Sequence, residues 1–235
     1  MDTKKYSLNE KFSELSELSL DVSEIFHSIQ GESSYAGLCC SFIRLAGCNL
    51  RCSYCDTKYA LTRENSVKIS ISDIVRKIHS LKTDLVEITG GEPLEQKNVF
   101  PLMDLLAADG FQVLLETNGS YSIKNIPAEV SVIMDCKCPS SGESEKMNFE
   151  NFLYLKSGSE VKFVIADRAD YKYAVGIIDK YKLADKDIEI LFSAVGGGGE
   201  CRFAGKLADW IAADRLPVRF QLQIHKIIWN DAKGK

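Results

Sequence analysis

The stretch SFIRLAGCNLRCSYCDT, Ser41 to Thr57, joins a strand-like apolar segment directly to three cysteines. Residues 41–47 have the apolar character of a short buried strand. Cys48, Cys52 and Cys55 follow in the spacing C-x3-C-x2-C. The sequence therefore predicts three potential metal ligands in one loop at the carboxyl end of a strand.

Strand-like and helix-like segments alternate along the rest of the chain. Further strands are predicted at 85–89, 112–117, 130–135, 160–166, 187–194 and 218–224. Helices are predicted at 71–81, 100–110, 148–155, 170–181 and 200–215. Such alternation is typical of an α/β protein whose parallel sheet is covered by helices, either a doubly wound sheet or a full or partial β/α barrel.

Unusual residues follow four successive predicted strands, which favours the barrel. The cysteines follow the first strand, Gly90–Pro93 (GGEP) the second, Asn118-Gly119 the third, and Cys136–Pro139 (CKCP) the fourth. In a barrel these strand ends meet at one mouth, where active sites are built.

Composition excludes several classes of protein. The chain has 235 residues and a formal net charge of -4, which predicts one domain, residues 1–235, with a polar N-terminal extension over residues 1–20. No basic face is evident, so nucleic acid is not an expected partner. No apolar run is long enough to span a membrane and no signal peptide is evident, so we expect a cytoplasmic protein with reduced thiols.

Four interpretations of the cysteine cluster remain open from spacing alone. Zinc needs a fourth ligand, such as Cys39, Cys40 or His27. A dithiol redox pair would use only two of the three cysteines. Unrelated buried thiols are the third interpretation. A [4Fe–4S] cluster held by three cysteines would keep one iron open for a substrate or cofactor.

The cysteine spacing followed by GGEP resembles the radical S-adenosylmethionine (SAM) superfamily. The resemblance implies that SAM binds the open iron and is cleaved to a 5′-deoxyadenosyl radical. By this resemblance Glu92 binds the methionine ammonium, and Glu116 and Asn118 bind the ribose. A capping Glu after a Gly-Gly turn, a strand acid and an Asn-Gly turn are the corresponding structural alternatives.

Further motifs resemble the 7-carboxy-7-deazaguanine synthase family over roughly Val22 to Trp229. They are IQGE (Ile29–Glu32), Arg44, CDT (Cys55–Thr57) and the tail QIHKIIW (Gln223–Trp229). This resemblance implies an incomplete (β/α)6-type barrel, a homodimer, Mg²⁺, and an external flavodoxin-like or ferredoxin-like electron donor. The implied reaction converts the small-molecule pterin 6-carboxy-5,6,7,8-tetrahydropterin to 7-carboxy-7-deazaguanine with release of ammonia, a step in queuosine biosynthesis.

The same resemblance implies roles for individual residues. Thr57 is the implied Mg²⁺ ligand, with Asp56 as the second candidate. The implied pterin-binding residues are Ile29, Gln30, Gly31, Glu32, Arg44 and Thr89. The implied SAM-binding residues are Gly91, Glu92, Glu116, Asn118, Asp135, Cys136 and Lys137. Arg44 offers a planar fork to the substrate carboxylate. His225 and Trp229 are expected to cap the substrate end.

Some features depart from the family pattern or leave alternatives. Cys136 and Cys138 flank the expected lysine and could hold an extra metal, and Gly196–Gly199 is an unfamiliar loop. Arg44 could be a solvated strand arginine, and Gln30-Gly31 only a hairpin turn. A radical SAM activase that makes a glycyl radical on another protein shares the cysteine spacing. A zinc-stabilised binding protein would explain the cysteines but not GGEP. No role is assigned to Cys39, Cys40 or Cys201.

Overall fold

The computed structural model describes residues 17–196, 202–230 and 232–235. Within them the strands form a single sheet in the order β3-β1-β2-β4-β5-β6-β7-β8-β9. The strands are Ser19–Ile29 (β1), Cys39–Leu45 (β2), Val67–Ser70 (β3), Leu85–Gly90 (β4), Gln112–Thr117 (β5), Val130–Asp135 (β6), Glu160–Ile165 (β7), Glu189–Ala194 (β8) and Arg219–Gln221 (β9). From β2 onwards along this order, neighbouring strands are parallel, whereas β1 pairs antiparallel with β2 and β3.

Five α-helices accompany the sheet in the described residues. They are Ile71–Leu81 (α1), Val99–Ala108 (α2), Arg168–Tyr181 (α3), Arg202–Asp214 (α4) and Ile224–Trp229 (α5). The first begins where the sequence predicts, because the hydroxyl of Ser70 caps it by accepting from the amide of Asp73 at 3.1 Å. Its apolar residues recur on one face, so Ile74 and Ile78 are buried against the sheet.

The predicted incomplete barrel is confirmed, in an open form. The parallel strands β2 and β4–β9 curve as one sheet whose edges in the described residues are β3 and β9. Parallel pairing of consecutive strands brings their carboxyl ends to one side of the sheet. The core consists of apolar side chains from both the strands and the covering helices, such as Ile88, Leu102 and Phe163.

Three predicted boundaries were wrong. Ser19 and Leu20 belong to β1 rather than to a polar extension over residues 1–20, and Leu20 is buried; residues 1–16 lie outside the described residues. The segment 148–155 forms a 3-10 helix over Phe149–Leu153. The predicted strand 218–224 is only Arg219–Gln221, because α5 begins at Ile224. No described helix is long and apolar enough to cross a bilayer.

Candidate active site

A single cavity at the carboxyl ends of the parallel strands brings the predicted site residues together. Its wall includes the cysteine loop, the ends of β4, β5 and β6, the segment after β1 and helix α5. All of the predicted site residues line it except Glu92, Cys136 and Trp229. The sequence predictions therefore converge on one place in the fold, as expected for a barrel mouth.

The cysteine loop is fixed at its base and along its length. The amide of Gly47 donates to Ala60 O at 2.9 Å and that of Cys48 to Leu61 O at 3.2 Å, which closes the loop. The amide of Arg51 donates to the Glu143 carboxylate at 2.6 Å, and that of Ser53 to Ser141 O at 3.0 Å. These contacts tie the loop to the segment that follows β6.

The three predicted ligand cysteines lie together on the wall of the cavity. Cys48, Cys52 and Cys55 are half-buried, form no disulfide and line the same cavity. Within the described part of the chain, no three His, Cys, Asp or Glu side chains converge on one point as ligands of a single metal ion would.

Burial favours the protonated form of two of these thiols, Cys48 and Cys52. It raises the pKa of Cys52 to about 11 and also raises the pKa of Cys48. Cys48 Sγ accepts weak hydrogen bonds from the amide of Leu50 at 3.4 Å and from Asn118 Nδ2 at 3.8 Å. Metal binding at this loop would therefore release thiol protons. The two donors to Cys48 Sγ are already in place to stabilise its thiolate.

The two glycines of GGEP allow backbone segments to approach each other. A Cβ at Gly90, whose φ is 147°, would lie 2.2 Å from Leu45 O, and one at Gly91 would lie 2.1 Å from Gly47 O. The amides of Gly91 and Glu92 donate to these same oxygens, at 3.0 and 2.8 Å. The glycines thus fasten the start of the cysteine loop to the end of β4, and Gly91 also lines the cavity.

The carboxylate of Glu92 faces protein groups rather than the cavity, in contrast to the predicted ammonium contact. Its side chain is fully buried and accepts from Leu94 N at 3.0 Å, Thr117 Oγ1 at 2.8 Å and Asn118 N at 2.7 Å. Burial raises the pKa of Glu92 to about 7 in spite of these donors. The capping interpretation is the one that the geometry supports, and Glu92 acts by positioning Asn118.

The CKCP segment places its lysine in the cavity and its cysteines in the core. Cys136 and Cys138 are buried among apolar side chains, and burial raises both thiol pKa values, so neither is placed as a SAM contact or a metal ligand through sulfur. Lys137 Nζ donates to Asp135 Oδ2 at 2.8 Å, and both residues line the cavity. Asp135 Oδ1 is buried and has no hydrogen-bond partner among the described residues, so it is available to a ligand.

The IQGE segment carries a dense polar network into the cavity. Gln30 Nε2 donates to Glu87, and the amide of Glu32 donates to Gln30 Oε1 at 3.0 Å. Glu32 Oε2 accepts from Lys162 Nζ at 2.8 Å, and Glu32 Oε1 accepts from Gln223. The amides of Gln30 and Gly37 pair with Leu38 O and Gln30 O, so the segment is also the start of a closed loop rather than only a hairpin turn.

Arg44 on β2 pairs with Glu24 on β1 through one nitrogen of its guanidinium. Its Nε donates to Glu24 Oε1 at 2.8 Å, and the Tyr59 hydroxyl donates to the same oxygen at 2.6 Å. The terminal nitrogens of Arg44 make no hydrogen bond within residues 17–196, 202–230 and 232–235. Burial opposes the charged form, but Tyr59 and Glu24 raise the pKa of Arg44, so a charged fork lines the cavity.

Thr57 is linked to the tail through Asp56. The Thr57 hydroxyl donates to Asp56 Oδ1 at 3.0 Å, which leaves its lone pairs free, and Lys226 Nζ donates to Asp56 Oδ2 at 2.6 Å. Burial alone would raise the pKa of Asp56, but Lys226 lowers it to about 2. Because the carboxylate is already paired with an ammonium, the geometry favours Thr57 over Asp56 as a ligand facing the cavity.

Helix α5 closes one side of the cavity against the IQGE segment. The amide of Ile224 donates to Gly31 O at 3.0 Å, and His225 packs so closely that a Cβ on Gly31 would overlap its ring. His225 lines the cavity as expected, and burial lowers its pKa. Trp229 is half-exposed and is not part of the cavity wall. The Gly196–Gly199 loop contributes Gly196 to the wall, whereas residues 197–199 and Cys201 lie outside the described residues.

Several residues of the cavity wall were given no individual role by the sequence predictions. They are chiefly Tyr54, Glu87, Lys162, Gln223 and Lys226. A sequence signal existed for two of them, because Glu87 and Lys162 each interrupt an otherwise apolar strand and are nearly fully buried. A charge in the middle of a buried strand usually has a partner or a function.

Comparison with known proteins shows which families this chain is similar to. The model of the Radical SAM superfamily matches residues 42–134. The chain is 44% identical to the 7-carboxy-7-deazaguanine synthase of Chlorobaculum tepidum, covering 93% of this chain and 98% of the relative. It is 40% identical to the 7-carboxy-7-deazaguanine synthase of Koribacter versatilis, covering 92% of this chain and 100% of that relative.

Solved structures agree on the fold. The crystal structure of QueE from Escherichia coli aligns with a TM-score of 0.68 at 21% identity and covers 94% of this chain and 99% of that one. Streptococcus suis SuiB bound to precursor peptide SuiA aligns with a TM-score of 0.52 at 14% identity, covering 74% of this chain and 46% of that one. At these identities the likeness concerns the fold alone.

Proposed function

The chain belongs to the 7-carboxy-7-deazaguanine synthase family and is a radical SAM enzyme of 7-deazapurine biosynthesis, and on that premise we propose its substrate and the residues that bind it. The substrate is 6-carboxy-5,6,7,8-tetrahydropterin, and the products are 7-carboxy-7-deazaguanine and ammonia. The observation that carries the proposal is that one cavity is lined by three cysteines, a carboxylate and a partly free guanidinium.

The polar groups of the cavity complement a carboxylated pterin. An amino-pyrimidinone edge presents neighbouring N–H donors, and Glu32 accepts them in a charge-assisted pair. Backbone groups of Ile29, Gln30 and Gly31 border the same part of the wall, and Thr89 lies beside Glu116. The free terminal nitrogens of Arg44 match a carboxylate in a bidentate way that a lysine would not.

The cofactors fit the remaining residues. Cys48, Cys52 and Cys55 hold a [4Fe–4S] cluster, which with SAM supplies the radical that removes hydrogen from the substrate. The side chains proposed for SAM are Glu116, Asn118, Asp135 and Lys137, with the backbone of Gly91 beside them. The unpartnered Oδ1 of Asp135 supports a polar ligand at this end of the cavity.

Thr57 is the proposed Mg²⁺ ligand. Its hydroxyl proton is directed at Asp56, so its lone pairs remain for the ion. Mg²⁺ prefers few protein ligands completed by substrate and water, which agrees with one threonine. A homodimer, a flavodoxin-like or ferredoxin-like electron donor and a cytoplasmic location belong to the same proposal.

Titration with two pterins tests this assignment. The SAM-loaded, anaerobically reconstituted protein binds the 6-carboxypterin, and Arg44→Lys weakens that binding roughly tenfold to a hundredfold, since a charge-assisted hydrogen bond contributes about 1.5–3 kcal/mol. A pterin without the carboxylate binds weakly and is nearly indifferent to Arg44→Lys. Equal affinity for both pterins, or none for either, would favour an activase that acts on another protein.

A further inference from the structure

Lys162 is a buried ammonium at the centre of the cavity's charge network. It lies on β7, is 4% exposed, and lines the cavity. Its Nζ donates to Glu32 Oε2 at 2.8 Å and to Glu116 Oε1 at 2.5 Å, and Asp135 Oδ2 is 3.8 Å away. One ammonium thus joins carboxylates from three different elements.

The ammonium and its carboxylate neighbours influence each other's pKa values. Burial alone would lower the pKa of Lys162, but Glu116, Glu32 and Asp135 raise it well above its usual value. Burial opposes ionisation of Glu116 as well, yet Lys162 lowers the pKa of that carboxyl. Glu87 makes no ion pair with Lys162, and burial raises its pKa well above the ordinary value. Lys162 therefore favours the charged form of Glu116 in this wall.

The paired carboxylates keep capacity for a ligand. A carboxylate has about four acceptor sites. Glu32 uses one for Lys162 and one for Gln223, and Glu116 uses one for Lys162 and one for the Thr89 hydroxyl at 3.2 Å. Both side chains line the cavity, so the remaining acceptor sites are available to donors of a bound molecule.

We propose that Lys162 is a positioning residue that fixes the orientation of the Glu32 carboxylate for recognition of the N–H groups of the pterin. The inference rests on the proposed function, since it explains how the carboxylate assigned to the pterin is held in place. Without the ammonium, Glu32 Oε2 loses the donor at 2.8 Å that fixes it, and the Gln223 contact alone remains. Lys162 acts through its partners rather than by touching the reacting atoms.

Lys162→Met tests the role because methionine keeps an unbranched side chain and removes the charge. In the SAM-loaded, anaerobically reconstituted protein, we expect affinity for the 6-carboxypterin to fall roughly tenfold to a hundredfold. Iron content should stay at the parent's level. Lys172→Met, on the exposed face of α3, is the matched control and should change none of these quantities.

A double-mutant cycle separates positioning from a general packing role. If Lys162 acts through Glu32, then Glu32→Gln costs much less affinity in the Lys162→Met background than in the parent. Additive losses, or an affinity of Lys162→Met equal to the parent's, would overturn the inference while leaving the proposed substrate in place. A parent protein that binds no pterin would overturn both.

A charge-balanced variant covers the case in which Lys162→Met fails to assemble the cluster. Lys162→Met with Glu116→Gln removes one base and one acid together, and it is compared with Glu116→Gln alone. We expect the double variant to bind the pterin at least roughly tenfold more weakly, because Glu32 has lost its ammonium. Equal affinity of the two variants would contradict the role of Lys162.

Discussion

Replacing Glu92 by Gln probes how GGEP is built into this fold. The carboxylate accepts from two backbone amides and one hydroxyl, and it is completely buried. An amide side chain has one oxygen and one NH2 group, so whichever way it turns, its NH2 faces the amide of Leu94 or of Asn118. Leaving a buried donor unsatisfied costs about 1–3 kcal/mol.

The pH dependence of that loss is a sharper test than its size. The pKa of Glu92 is raised to about 7 from 4.5, so between these values the folded state holds a proton that the unfolded state has lost. A raised acid pKa stabilises the folded state at low pH, and the stabilisation disappears as pH rises through the folded pKa. From pH 5.5 to pH 8 the parent should lose about 2 kcal/mol from this group, and Glu92→Gln should not.

Chemical denaturation of the metal-free, reduced protein measures both effects. At pH 5.5 we expect Glu92→Gln to be less stable than the parent by about 1–3 kcal/mol, which in a chain of this size is roughly 2–12 °C in Tm. The gap should shrink towards pH 8. Glu145→Gln, at an exposed position, should stay within about 0.5 kcal/mol of the parent at every pH. A gap that is constant or grows with pH would refute a buried Glu92 that is neutral at low pH.

Three further substitutions test other parts of the site. Cys52→Ala should abolish iron incorporation after anaerobic reconstitution while Cys39→Ala should not, and stoichiometric zinc without iron in the parent would contradict the cluster. Thr57→Ala should weaken activation by Mg²⁺ at unchanged iron content, and overlapping Mg²⁺ titrations would move the ion elsewhere. Gly91→Ala should destabilise the chain by about 1–3 kcal/mol, because its Cβ would lie 2.1 Å from a backbone oxygen. In the control Gly176→Ala, in α3, the new Cβ meets no atom within 4 Å, and the variant should be more stable by about 0.5–1 kcal/mol. Equal unfolding midpoints of the two variants would contradict the close packing at Gly91.

The parallel strands and their chemistry could be predicted from the sequence because both signals are local. Continuous apolar segments such as 112–117 and 130–135 match the observed strands residue for residue. The unusual residues follow strand ends, and parallel pairing then brings them together whatever the details of the loops. This is why the cavity contains nearly all of the predicted residues.

Strand β1 was not predicted from the sequence because many of its residues are polar. β1 is antiparallel and mostly half-buried, so Ser19–Ile29 lacks the apolar character of the central strands. Its pairing with β2 places Glu24 opposite Arg44, and that long-range contact decides how Arg44 is held. The local pattern of apolar and polar residues does not indicate which residues of two strands lie opposite each other.

The hydrogen-bond partners of buried polar groups could not be predicted from the sequence either. GGEP and CKCP both predicted ligand contacts, but the fold turns Glu92 and the Cys136 thiol inward and leaves Asp135 and Lys137 in the cavity. Lys162 interrupts an apolar strand, but its role depends on three carboxylate neighbours that are distant in the chain. A residue's type limits its chemistry, whereas its function depends on contacts made across the whole chain.

The conversion of the proposed substrate tests the central claim most directly. The anaerobically reconstituted protein is incubated with SAM, Mg²⁺, a reductant and 6-carboxy-5,6,7,8-tetrahydropterin, and the products are quantified by mass spectrometry and an ammonium assay. We predict equal amounts of 7-carboxy-7-deazaguanine and ammonia, in excess of the SAM consumed. Cleavage of SAM to 5′-deoxyadenosine and methionine with no 7-carboxy-7-deazaguanine would contradict the account.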